Sequence, residues 1–440
     1  MEIKQPSSII PTYSKSIPQS GFPTKIVFRH PAYDDDTNVL LRLQPFDHPQ
    51  GGLHLHVGLV ACQIIANNAF NGYITKTKGG SPIATGDFHS VLLEKEYYFY
   101  VPSPPSSSPS ASPYQYPIIP SFRHWRFPHS KLPAIWQTLT RETAQGPISA
   151  PSNIAASICA RDGPYCRLTG YGDALDTSHV VPDAEWEWFA WNNMMQYNCD
   201  QQLSSGVVND TRNFISLRTD VHRIFDERGL MFVPKPVPSV ETDTALRESP
   251  SIDLVAHFLV PTATLQLLYH NAIIHPISNI CPEFFFARFA WSIFPFLSEF
   301  LMSQRPRQLI THIISDSGIP EVKEKLFSGK ECVELAPGRS NRRSPTKRSR
   351  TQDMDTNGED WTILGSGTQE NPSKALAADT SPSSKRQRFD SQTSSLTSSS
   401  HTHSHSPNRS SRHISPDNLK WELKFDPEQE MRGRTRQRYF

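Results

Sequence analysis

CRLTGYGDALDTSHVVP, residues 166–182, and NFISLRTDVHRIFDERGLMFVP, residues 213–234, decide how this chain is read. His179 lies in a β-prone run, Asn213 opens a second such run, and His222 falls on a short stretch of helical period. Leu217, Val221, Ile224 and Phe225 supply that helix with its buried stripe. His222 points to the adjoining face, with Arg218 four residues before it and Asp226 four after. A strand, a strand and a helix in this order predict one imidazole base and one imidazole metal ligand at a common phosphate.

Phosphodiester hydrolysis needs a base for the attacking water, a cation for the charge that builds on the phosphate, and donors that hold it. His179 is the candidate base, because an imidazole is neutral and ready near physiological pH. His222 is the candidate metal ligand, and Asp226 is placed to accept its second ring N–H and fix the tautomer. Asn213 reads as a brace whose amide can bond a loop N–H and a loop C=O together. Arg212, Arg218 and Arg223 are candidate phosphate clamps, since a guanidinium fork matches phosphate oxygens.

These segments resemble the HNH (His-Asn-His) endonuclease family, and most closely the subgroup written C-x-x-T-G…A-H-I-x-P…N-x-I-x-L-x-x-D-x-H-x-x-F-D. Here the pattern is carried by Cys166, Thr169 and Gly170; His179, Val180 and Pro182; and Asn213, Ile215, Leu217, Asp220, His222, Phe225 and Asp226. The likeness is strong over residues 152–234 and continues weakly through ARFAWSIF, residues 287–294. It implies an α+β chain built on a ββα-metal core, with His179 as general base, Asn213 as the loop brace and His222 as ligand to a divalent ion, usually Mg²⁺. Two departures matter. Ser178 stands where many active members carry an acidic or histidine ligand, which leaves the ion to Asp176, Asp226 or water. The paired Cys-x-x-Cys knuckles of many members are missing, so no structural zinc is expected. Two rival readings follow: a scaffold that binds nucleic acid or protein without catalysis, and a zinc module held by Cys166, His222 and Asp226.

The bulk composition bounds the rest. Apolar residues make up 37% of 440, the mean hydropathy is −0.48 and there are 38 prolines, so part of the chain is expected outside any core. Net charge is +1, but residues 337–440 hold 18 Lys+Arg against 12 Asp+Glu, which leaves −5 on the remainder. A mildly acidic body argues against broad affinity for phosphate backbones. Six scattered cysteines without a close pair indicate a reducing, intracellular compartment. The N-terminus lacks the apolar run of a secretory signal. FFFARFAWSIFPFLSEFLM, residues 284–302, approaches membrane length, but Arg288, Pro295 and Glu299 make it a core helix instead, and no membrane partner is expected.

Composition shifts then divide the chain. Residues 1–22 read as disordered, 23–101 as a small β-rich domain and 102–120 as a Pro/Ser linker. The nuclease segment is 152–235, with Ser152 as the N-cap of a helix through NIAASICARDG. Residues 236–330 form a helical extension packing on it, and 337–440 a disordered basic tail. LHLHV places His54 and His56 on one face of a strand, with solvation favoured over metal binding. RHWRFPHS, residues 123–130, reads as a loop packing Trp125, and Trp186, Trp188 and Trp191 read as core. RSNRRSPTKRSR and SSKRQRF in the tail are clusters that nuclear import receptors read, which points to the nucleus. The expected partner is nucleic acid, DNA ahead of RNA.

Overall fold

The computed structural model describes residues 24–104, 113–139, 154–199, 206–237, 251–262, 264–279, 281–314 and 320–337. Ser152, residues 1–22 and the two basic clusters of the tail lie outside the described residues.

KIVFRH and VLLRLQPF become strands β1 (Ile26–Arg29) and β2 (Val39–Leu43), paired antiparallel. LHLHVGLVACQIIA departs from the strand expected of it. Only β3 (Leu53–His54) is extended, and helix α1 (Leu55–Ile65) follows at once with all eleven of its residues buried. A continuous apolar run carries no period by which a buried strand can be told from a buried helix. His54 and His56 therefore sit at the N-terminal end of a helix, not side by side on a strand face. Gly58 is where α1 meets β1, because a Cβ there would lie 2.6 Å from Phe28 Cζ. Strands β4 (Tyr73–Thr75), β5 (Val91–Leu92) and β6 (Glu96–Tyr100) come next, and the main sheet runs β2-β1-β6-β4. The far end of the Pro/Ser stretch enters the core, where Tyr116, Ile118 and Ile119 are buried.

After the short α2 (Ala134–Gln137), helix α3 (Ile154–Asp162) leads into the CRLTG turn. Strand β7 (Leu175–His179), helix α4 (Trp186–Trp191), strand β8 (Phe214–Arg218) and helix α5 (Thr219–Asp226) follow. β7 and β8 pair antiparallel from Leu175↔Arg218 to His179↔Phe214, so the long intervening segment closes an ordinary two-stranded ladder. α3 is stitched to β8 by a buried pair. Arg161 bonds Asp162 through two nitrogens and also the carbonyls of Thr211 and Phe214, while Asp162 accepts from the Ser216 N–H.

The C-terminal part is less helical than expected. LVAHFL belongs to β10 (Ser251–Phe258), which pairs with β9 (Leu230–Val237) along its whole length. ATLQLLYHNAII gives only the short α6 (Leu265–Tyr269). Helices α7 (Pro282–Ile293) and α8 (Ser298–Met302) follow, then the hairpin β11 (Arg307–Ile314) and β12 (Pro320–Phe327), and α9 (Gly329–Leu335). The stretch Pro282–Met302 is long and apolar enough to cross a membrane, but 78% of it is buried inside the protein, as a core helix would be. One hydrophobic cluster extends from Ile26 to Ala336 and includes residues of β1, α1, β8, β9 and α7. The result is a mixed α+β architecture.

Candidate active site

Asn213 comes first, because everything else in the site depends on where it holds the backbone. It is fully buried, its amide oxygen accepts from the Val181 N–H at 2.7 Å, and its amide nitrogen donates to the Val181 and Val208 carbonyls at 2.9 Å each. The carbonyl of Asn213 accepts the Val180 N–H. One side chain thus joins the segment leaving β7 to the loop entering β8.

His179 closes β7. Its ring packs on Phe214 at 4.1 Å between centroids, and its Nε2 lies 3.0 Å from Asn209 Oδ1. With that oxygen as acceptor, Nε2 carries the proton and Nδ1 keeps the lone pair. Asn209 was not singled out from sequence. Its spacing carries no periodic signal, and only the loop's return to β7 makes it a neighbour.

His222, on α5, lies between two carboxylates. Its Nδ1 is 3.1 Å from Asp176 Oδ2 on β7, and its Nε2 is 3.1 Å from Asp226 Oδ2 one turn further along α5. The bond to Asp226 raises the imidazole pKa, partial burial opposes this, and Asp176 adds to the rise. The fold therefore brings together His222, Asp226 and Asp176. His179 stands three residues beyond Asp176 on the same strand, roughly 10 Å along it. Strand alternation puts Asp176 and Ser178 on one face of β7 and His179 on the other. Ser178 is fully buried and its Oγ has no hydrogen-bond partner.

The arginines divide. Arg212 donates to Asn279 Oδ1 through Nε and Nη2 and to the Tyr197 carbonyl through Nη1, so its fork is engaged inside the protein. Arg218 forms a bidentate pair with Asp220 at 2.7 Å and lies over the Tyr171 ring. Arg223 pairs with Glu227 along α5, and its side chain is 79% exposed. Cys166 is buried in the CRLTG turn, where its sulfur accepts the Thr169 N–H. Among the described residues it does not join His222 and Asp226 within metal-ligand distance.

A second cluster meets a distance criterion for a metal: Asp47, His257 and His270 offer ligand atoms within 4.8 Å of one another. Its centre is already held by a cation. Lys235 Nζ donates to Asp47 Oδ1 at 2.5 Å, Asn271 Oδ1 at 2.6 Å and His257 Nδ1 at 3.0 Å. Burial alone would push the Asp47 carboxyl up, but Lys235, His257 and His270 hold it well below the usual range. We read this group as a buried ion-pair network.

A buried asparagine thus braces a hairpin and helix that set one imidazole, His222, between two carboxylates and the other, His179, beside Asn209. Residues 166–233 match the family model described as HNH endonuclease, which covers β7, β8, α5 and the start of β9. No curated protein and no solved structure matches the chain. HNH domains generally use a divalent metal. Asp176 and Asp226 offer hard oxygens of the kind such an ion takes, but each faces a different ring nitrogen of His222, and among the described residues the three do not bring their ligand atoms within 4.8 Å of one another.

Proposed function

We propose that this protein is an HNH-type endonuclease that hydrolyses nucleic-acid phosphodiester bonds with a divalent metal, Mg²⁺ first among candidates, on a ββα-metal core. The observation that carries the reading is His222 set between Asp176 and Asp226 on a hairpin and helix whose far end presents His179. Asp176 or Asp226 would hold the ion together with the ring nitrogen of His222 that its carboxylate releases, and the ion would supply charge stabilisation on the phosphate and the leaving oxygen. His179 takes the proton of the attacking water at Nδ1, and Asn209 fixes the ring for that transfer. Asn213 keeps the two strands in register beneath it. Arg223, the most exposed of the three arginines, and Arg218 are the phosphate contacts, while Arg212 serves the fold. DNA is the substrate we favour, and the basic tail would carry the protein to the nucleus through an import receptor.

Plasmid nicking in Mg²⁺, Mn²⁺ and Ni²⁺ is expected, and none in EDTA. His179→Ala should nick at least about 100-fold more slowly, as loss of a general base does, with an unchanged melting temperature. Equal nicking by His179→Ala, or nicking that survives the chelator, removes the proposal. The buried Ser178, in place of a stronger ligand, favours one rival: a binding protein that keeps this scaffold without cutting. That rival binds nucleic acid equally with and without chelator and nicks at no metal concentration.

A further inference from the structure

We infer that Tyr165 and Tyr171 form a stacking platform beside the candidate active site, which makes an unpaired polynucleotide strand the preferred substrate; this deepens the nuclease reading and rests on it. Among the described residues, the exposed large apolar side chains include four aromatics: Tyr165, Tyr171, Trp186 and Trp191. All four fall between residues 165 and 191, the stretch that supplies β7 with Asp176 and His179. The remaining eight are aliphatic or methionine and lie elsewhere in the chain. Of the four, Tyr171 is the one with a contact to the site, through Arg218 on α5.

Two of them flank one short loop. The Cys166 N–H donates to the Tyr171 carbonyl at 2.8 Å and the Gly170 N–H to the Cys166 carbonyl at 2.9 Å, which closes the CRLTG segment into a tight loop. Gly170 permits this with its φ of +73°. Tyr165 precedes that loop and Tyr171 ends it, so the two rings stand at its mouth, more than half exposed. Tyr165 also lies against Gly172, where a Cβ would come 3.7 Å from its Cδ1. The platform is tied to the site through Arg218, whose guanidinium carbon is 5.4 Å from the Tyr171 centroid. Arg218 caps α5 at its N-terminus, four residues and one turn before His222. A strand with its phosphate near His222 would thus have an adjacent base within reach of Tyr171, with Arg218 between them.

Charge decides between duplex and single strand. Residues 1–336 carry −5, so the body lacks the cationic surface that drives duplex binding through the phosphate backbone. Stacking on an aromatic ring needs no such charge, and every unpaired base offers a face for it. In a duplex those faces are hidden against neighbouring pairs.

The test uses the full-length protein in EDTA, where binding is read without cleavage. Fluorescence anisotropy compares a labelled single-stranded DNA, a single-stranded RNA and a blunt DNA duplex at physiological salt. The single strands should bind at least about tenfold tighter than the duplex, and Tyr171→Ala and Tyr165→Ala should each weaken single-strand binding by about tenfold without altering duplex binding. Tyr171→Phe should restore affinity, because the ring stacks without its hydroxyl. The DNA and RNA arms tell which sugar the site accepts. The basic tail is common to all variants, so its contribution cancels in the alanine comparisons on each ligand. Equal affinity for duplex and single strand, indifference to both alanine substitutions, or binding to neither overturns the platform. Single-strand binding that persists while His179-dependent nicking is absent removes the nuclease reading and leaves the platform standing. Metal-dependent nicking with tyrosine-insensitive binding does the reverse.

Discussion

Between pH 7.5 and 5 the protein is expected to lose about 2 kcal/mol of stability for each of two buried histidines, His30 and His54, and to approach acid unfolding well above the carboxylate range. His30 is fully buried, and desolvation pulls its pKa down from 6.5 to about 3, with a small further push from Arg307. Geometry agrees with the direction. Its Nδ1 accepts the Ala32 N–H, its Nε2 faces the Tyr116 carbonyl, and the ring stacks on Tyr116 at 3.8 Å. A second ring proton would therefore meet another N–H head on. Burial likewise lowers His54 to about 4. His257 and His270 shift down for the same reason, and His270 Nδ1 is committed to the Phe258 N–H.

The sign follows from proton uptake. Each of these side chains binds its proton near pH 6.5 when unfolded and only well below that when folded, so acid favours the unfolded chain. The contribution is complete above pH 6.5 and is lost as pH falls toward 3 or 4. Asp47, whose carboxyl is depressed, adds a loss only below its ordinary value near 3.8. His222, raised by its carboxylates, acts the other way: its contribution is complete below 6.5 and is lost as pH rises through the raised folded value, but it is one group against several. Set against the 5–15 kcal/mol typical of folded domains, two such histidines are a large fraction. Thermal melts followed by near-ultraviolet circular dichroism should show the transition falling steadily from pH 6.5 downward. In His30→Asn the neutral-pH transition should be lower but the slope shallower. A melting temperature constant from pH 7.5 to 5 contradicts the account.

Those histidines also mark the limit of what the sequence could tell. The nuclease segment was legible because its chemistry is local. Ile215 and Leu217 lie on one short strand and His222 and Asp226 on one short helix, so period set their faces, while Asn213 closes the turn just before that strand. The bond between Asp226 and His222 is an i, i+4 contact, and any helix brings such residues together. Asp176 could be named only as a fallback ligand, since its contact with His222 depends on the register of β7 against β8. The Lys235 network was invisible. Its members, Asp47, Lys235, His257, His270 and Asn271, are drawn from distant elements by a core that no window of sequence contains. Helix and strand were confused where apolar residues run without interruption, as in α1 and β10, because burial on all sides erases periodicity.

Arg288 shows what such a core does for the site, and its truncation to alanine should cost about 3–5 kcal/mol, from the cavity left in the core and two carbonyls left without donors. It is fully buried on α7, and desolvation pulls its pKa down to about 9, so it stays protonated near neutrality. Its Nη1 donates to the Val180 carbonyl at 3.2 Å and its Nη2 to the Phe225 carbonyl. Val180 follows His179, and Phe225 precedes Asp226. One guanidinium therefore ties the end of the strand that carries His179 to the end of the helix that carries His222 and Asp226. The plane also lies 3.6 Å from the Phe225 centroid and 4.5 Å from that of Trp291, whose other contacts are Arg228 and Glu185. Arg288→Ala loses both carbonyl donors and the packing, and leaves a cavity. Arg288→Met keeps much of the volume and removes a desolvated charge, so it should cost less, on the order of 1–3 kcal/mol for the stranded carbonyls. A role in holding the site makes a further demand on Arg288→Met. Binding of Mn²⁺, measured by titration calorimetry where the variant is fully folded, should weaken even though no ligand was changed. If Arg288→Ala melts like the parent protein, the guanidinium holds nothing. If Arg288→Met is destabilised but binds Mn²⁺ unchanged, Arg288 supports the core and not the spacing between His179 and Asp226.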